Sequence, residues 1–210
     1  MADITAWIDA LRSPRRLDAG SARYYTKMGS IKEVNLVRHI PVLDEVLNAH
    51  AGELGGDFTA YRNHTYRVVN FCVALSPDST VPLDKIALAA AFHDLGIWTD
   101  HTFDYIPPSI RLARAHLSGS GQSAWTSEIT EMIFQHHKLL PYQGDSLVEQ
   151  FRCADLVDVS KGLIRSGISR EFVNNVVATW PNAGFHRRLV MLGLHRLRTH
   201  PLSPLPMIRL

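Results

Sequence analysis

The sequence predicts a single all-α domain, a helical bundle. Apolar residues recur at offsets of three and four through nearly the whole chain. No alternating apolar–polar run is long enough for a convincing strand, and proline and glycine fall mostly between the periodic segments. At 210 residues the chain can bury a sizeable core, and 46% hydrophobic with 20% charged residues is ordinary for a globular domain.

Residues 4–12 carry a short helical period, and 13–29 are mixed and basic, read as a loop or arm with Tyr24 and Tyr25 packed down. A helix over 41–51 can begin at Pro41, since proline is tolerated in a first turn, and ends at Gly52. After the punctuation of 52–56, a longer helix covers 58–76 and is broken by Ser76-Pro77-Asp78. Val81-Pro82-Leu83-Asp84 opens the next helix, which ends at His93-Asp94, with Gly96 as its stop. Residues 97–108 read as a loop closed by Pro107-Pro108, with helices at 109–118 and, past the glycines of 119–121, at 124–138. The turn at 141–144 leads into the helix containing Asp155. Helices at 169–179 and 183–199 precede a Pro-rich tail from Pro201. No internal repeat or linker divides the chain, so one domain spans 1–210, with its motif-bearing part at 55–165.

Composition narrows the function classes. A net charge of +2, with no basic cluster standing out from the acidic residues around it, argues against nucleic acid as a partner. No apolar run approaches the ~18 residues of a membrane span, and Met1-Ala2-Asp3-Ile4 lacks the basic and apolar regions of a signal peptide. Cys72 and Cys153 lie in apolar helical patterns, as buried thiols of a reducing compartment do. The expectation is a cytoplasmic protein with no membrane partner; the residues below and the resemblance they carry add an enzyme with a small-molecule substrate. The segment Asn182-Ala183-Gly184-Phe185-His186 and the last two helices could support a homodimer or simply cap the core; His186 and His195 read as structural.

The chemistry centres on His93-Asp94, in Ala90-Ala91-Phe92-His93-Asp94-Leu95-Gly96. An imidazole nitrogen and a carboxylate oxygen offered from one short stretch are donors that suit Fe, Mn, Zn, Co or Mg. Upstream, His64 shares a helical stripe with Val68, Phe71 and Leu75, so it points inward. Ile86, Ala90 and His93 share another face, with Asp94 about 100° further round. Val148, Phe151, Asp155 and Val159 make a third stripe. Taken singly, each of these reads as a core histidine or a carboxylate paired with arginine. A carboxylate on an apolar face must be paired, protonated or bound to a cation, and one metal would satisfy all four groups together.

The ordered set, His64, then His93-Asp94 after 29 residues, then Asp155 after another 61, resembles the HD superfamily of helical metal-dependent hydrolases over residues 55–165. The resemblance implies an HD-type helical fold and one divalent metal on His64, His93, Asp94 and Asp155. It also implies a metal-activated water that cleaves a small phosphate ester or nucleotide. Dinuclear relatives carry two further histidines between the His-Asp pair and the last Asp. Here His116, His136 and His137 are the candidates, but where the earlier histidine is expected the chain has Pro107-Pro108-Ser109. One metal is therefore expected, with His136 or His137 as a substrate-facing acid, base or orienting group. The glutamate that nucleotidases of the superfamily often carry three residues after the Asp is Ile97 here, so Asp100, Asp104 or a histidine would have to substitute as acid.

Arg62, Arg111 and Lys138 are candidate phosphate contacts, each equally readable as a solvated surface charge. Trp98 and Tyr105, in the 95–109 loop, could form a pocket wall, and this region loosely resembles that of hydratases such as cyanamide hydratase. Besides hydrolysis or hydration, a dinuclear-iron oxygenase cleaving a C–P or similar bond and a non-catalytic regulatory module are the alternatives.

Overall fold

The computed structural model describes residues 35–76 and 81–208. The expected helix at 4–12 and the arm at 13–29 lie outside the described residues. Among those described there is no strand, and the helices run α1 Pro41–Ala49, α2 Ala51–Leu54, α3 Phe58–Leu75, α4 Leu83–Phe92, α5 Gly96–Thr99, α6 Ile106–Gly119, α7 Thr126–Gln135, α8 Ser146–Val159, α9 Arg170–Thr179 and α10 Phe185–Thr199. None is long and apolar enough to cross a membrane. The chain is thus an all-α bundle, as the periodicity predicts.

Helix α4 explains how the site comes to lie in the middle. From Ile86 to Phe92 every residue is buried, and α4 packs against α1, α3, α6 and α7. A helix that is apolar all round has no face for solvent. Its alanines also leave room for neighbouring helices to approach, so the residues that follow, His93 and Asp94, emerge at the centre of the bundle. The most extensive helix pair is α3 with α8, and it brings His64 and Asp155 to the same place. Helix α8 starts where Asp145 accepts the Leu147 N–H at 2.7 Å, and α9 where Ser169 Oγ accepts from Phe172 at 3.1 Å.

Three expected boundaries are corrected. Residues 97–108 are not one loop: Gly96–Thr99 form a helical turn, and α6 begins at Ile106. Pro107 and Pro108 sit in its first turn, where their missing N–H groups have no helical partner to lose. Gly96 does not stop the chain but lets it double back. A Cβ there would lie 2.6 Å from the Tyr105 carbonyl, and its N–H donates to Ser109 Oγ at 3.0 Å. The helix expected at 124–138 ends at Gln135, so His136 and His137 lie in a turn closed by Lys138 N–H on the Gln135 carbonyl.

Candidate metal centre

Four segments converge. His64 comes from α3, His93 and Asp94 from the turn after α4, His136 and His137 from the turn after α7, and Asp155 from α8. His64 and His93 are fully buried, and Asp94, Asp155 and His136 nearly so. The Nε2 atoms of His64 and His93 lie 2.9 Å apart. Asp94 Oδ2 is 3.6 and 3.4 Å from them, and Asp155 Oδ1 is 3.7 and 3.8 Å away. The other carboxylate oxygens face the second histidine pair: Asp94 Oδ1 is 3.4 Å from His136 Nε2, and Asp155 Oδ2 is 3.5 Å from His137 Nδ1. Each carboxylate therefore divides its two oxygens between two histidine pairs.

The hydrogen bonds on the outer side of each ring decide what points inward. His64 Nδ1 meets Asp158 Oδ2 at 2.6 Å, His93 Nδ1 meets the Ala90 carbonyl at 2.8 Å, and His136 Nδ1 meets the Ile133 carbonyl at 2.6 Å. Each of those partners is an acceptor, so each Nδ1 carries the proton and each neutral ring turns a bare Nε2 lone pair inward. Two lone pairs facing each other at 2.9 Å cannot hydrogen-bond. Nor can they bond to the carboxylate oxygens beside them, which are also acceptors. Asp94 Oδ1, Asp155 Oδ1 and His136 Nε2 are buried and have no hydrogen-bond partner.

A cluster of acceptors without donors is what a cation satisfies, and two overlapping groups could hold one: His64, His93 and Asp94; and Asp94, His136 and His137. The electrostatics of the buried groups reflect the same crowding. Burial pushes the His64 pKa down to about 4, so its ring stays neutral at pH 7. Burial, with the negative charges of Asp94 and Asp158, drives the Asp155 carboxyl well above its ordinary range. Two carboxylates this close cannot both stay ionised cheaply without a positive charge between them.

A supporting layer holds His64. Arg67, fully buried on α3, donates Nε to Asp158 Oδ1 at 2.5 Å and Nη2 to Oδ2 at 2.8 Å, and its Nη1 reaches the carbonyls of Trp180 and Pro181 at 3.0 and 3.3 Å. The Phe185 ring, at the start of α10, stacks on His64 at 3.9 Å. Tyr61 donates to the Ala91 carbonyl at 3.0 Å beside the His93-Asp94 turn. None of Asp158, Arg67, Phe185 or Tyr61 was among the expected site residues. Asp158 lies one helical turn after Asp155, the one sequence signal that could have suggested it.

The remaining candidates separate. Tyr105 is at the cluster, its Oη 2.5 Å from His137 Nε2. Trp98 is buried nearby, with Nε1–H donating to Asp57 at 3.0 Å and its ring 4.7 Å from that of Tyr61, so it packs the turn. Asp100 and Arg111 pair with each other at 2.6 Å on the surface, and Asp104 is exposed. Arg62 is held by Asp44 through two hydrogen bonds of 2.8 and 3.2 Å and lies over the Tyr66 ring. These four are not brought to the cluster. Lys138 follows His137, half-buried, with its carbonyl accepting from Arg152 at 3.0 Å. His116 packs against Phe92, apart from the other histidines.

No protein-family profile, no curated protein and no solved structure matches the chain. What stands is an all-α protein whose buried histidines and aspartates could hold a metal, an arrangement compatible with an HD-domain fold.

Proposed function

We propose that the protein is a metal-dependent hydrolase of the HD type, acting on a small phosphate ester or nucleotide. The observation that carries this reading is the set of Nε2 lone pairs and orphaned carboxylate oxygens converging with no donor among them. His64, His93, Asp94 and Asp155 would hold the ion, with His136 and His137 on its far side. A divalent cation there would supply Lewis-acid chemistry, activating water as nucleophile and neutralising charge on the group attacked.

The chain's own residues set the approach. Among the clustered side chains His137 is the accessible one, at 18% exposure against 4% or less for His64, His93, Asp94, His136 and Asp155. Substrate therefore enters at the His137–Tyr105 edge. His137, its pKa held well below the usual imidazole value by burial and then by His136, is neutral at pH 7 and accepts or relays a proton through Tyr105. Lys138, next along the chain, is the basic residue proposed to meet the phosphate. Asp100 and Asp104 have no part in this reading.

The second group, Asp94 with His136 and His137, favours one alternative, a dinuclear iron oxygenase. Elemental analysis of protein purified without a chelating tag, beside Asp94→Ala, tests both. Metal bound by the wild type and lost in the variant, together with hydrolysis of a panel of phosphate esters, supports the hydrolase. Two irons per chain with oxygen uptake moves the assignment to the oxygenase. No metal after reconstitution removes both.

A further inference from the structure

The whole-chain charge of +2 conceals an asymmetry. Residues 160–210 contain eight Lys or Arg and one acidic residue, Glu171, a net of +7, so residues 1–159 carry a net of −5. The same quarter of the chain presents most of the large exposed apolar side chains among the described residues. Helix α10 concentrates both features. Its inner face, Phe185, Leu189 and Leu192, packs on the core. Its outer face presents Val190 at 60% exposure, Met191 at 57%, Leu194 and Leu197. Arg187, Met191, Leu194 and Arg198 sit at offsets of 0, 4, 7 and 11, so an exposed arginine brackets each end of the apolar stripe.

Arg188 is neutralised by Asp57 at 3.1 Å, but Arg187 and Arg198 have no acidic partner among the described residues. The tail folds back beside them. Arg196 Nε donates to the Ser203 carbonyl at 3.3 Å, placing Leu202, 97% exposed, next to the C-terminal end of the stripe.

We infer that this face of α10 and the Leu202 turn form a docking surface for an anionic lipid bilayer. Protruding leucines and a methionine on a convex helix demand no complementary groove and suit a fluid apolar medium. The flanking arginines then lie at headgroup depth, where anionic lipids neutralise them. A second copy fits less well, because antiparallel packing of two α10 stripes sets Arg187 of one chain against Arg198 of the other. Averaged over the chain, the basic charge disappears, and the lack of a membrane-spanning apolar run says nothing of a surface that only rests on a bilayer. The inference does not depend on the reaction catalysed.

Vesicle co-sedimentation of the full chain tests it, using phosphatidylcholine vesicles with and without a third of phosphatidylglycerol. The wild type should partition onto the anionic vesicles at least ~10-fold more strongly than onto neutral ones, and 0.5 M salt should erase most of the difference. Arg187→Gln/Arg198→Gln should lose roughly 25-fold, about five-fold per arginine. Met191→Ser/Leu194→Ser should lose binding to both vesicle types while keeping wild-type circular dichroism and melting temperature. Absence of binding by the wild type overturns the inference, as does wild-type binding by both variants. So does a lipid-free dimer, seen by light scattering, that Met191→Ser/Leu194→Ser disperses, because the face then belongs to a second copy.

Discussion

Asp158 is the residue on which the geometry of His64 turns. It accepts from the imidazole on one side and from the Arg67 guanidinium on the other, all three buried. Burial raises its pKa, but the hydrogen bonds from Arg67 and then His64 overcome this and hold the carboxyl well below the usual range. Asp158→Asn leaves Arg67 without its charge partner and weakens the constraint that keeps His64 Nε2 bare. Metal affinity should fall about 10- to 100-fold, read by competition with a chelator. Stability should fall by about 3–5 kcal/mol at pH 7, read by urea unfolding of metal-free protein. A carboxyl with a depressed folded-state pKa stabilises above its unfolded value, and that contribution is lost as pH falls through the folded one. The gap between wild type and variant should therefore be full above about pH 4 and close below it. A gap independent of pH would rule out the carboxylate as its source.

At the scale of elements, the turn from α4 into α5 fixes the His93-Asp94 pair, and Gly96 is its tightest point. A methyl group there meets the Tyr105 carbonyl at 2.6 Å and Pro108 Cγ at 2.8 Å, backbone and ring atoms with little freedom to move. Gly96→Ala should destabilise by about 1–3 kcal/mol and displace Tyr105 from His137, lowering turnover more than a distant core change of equal cost. Thermal unfolding and kcat measured together check this, and unchanged turnover at equal destabilisation would detach Tyr105 from the chemistry. Sequence periodicity located α3, α4, α8 and α9 closely, because each has a long apolar stripe or a clear cap. It misread 97–108 because Pro107-Pro108 serve equally well to close a loop or to open a helix, and only the docking of α6 on α4 and α5 distinguishes the two.

For the whole molecule, the cluster is a source of strain that a bound cation would relieve. Acceptors gathered in the core without donors oppose folding, so a metal bound by the native state alone should stabilise it by mass action. At a free concentration 100 times the dissociation constant this amounts to ~2.7 kcal/mol. For a chain of this size that corresponds to a melting-temperature rise of roughly 5–10 °C, which a chelator should abolish and added metal restore. The Asp94→Ala protein should show no response to either. A wild-type melting temperature indifferent to chelator and metal would mean that the cluster holds no ion.

The sequence by itself determined the all-α class and the inward set His64, His93, Asp94 and Asp155, because apolar periodicity and donor chemistry are local properties of a helix. It also marked His136, His137 and Tyr105 as worth attention. Only the tertiary structure decided that His136 and His137 join the set and that Asp94 and Asp155 each face two histidine pairs. It alone assigned Arg62 to Asp44 and Arg111 to Asp100, and placed Phe185 on His64. Those outcomes depend on which helix turns meet across the bundle. Residues 94 positions apart, as His64 and Asp158 are, become neighbours through packing that no local pattern records.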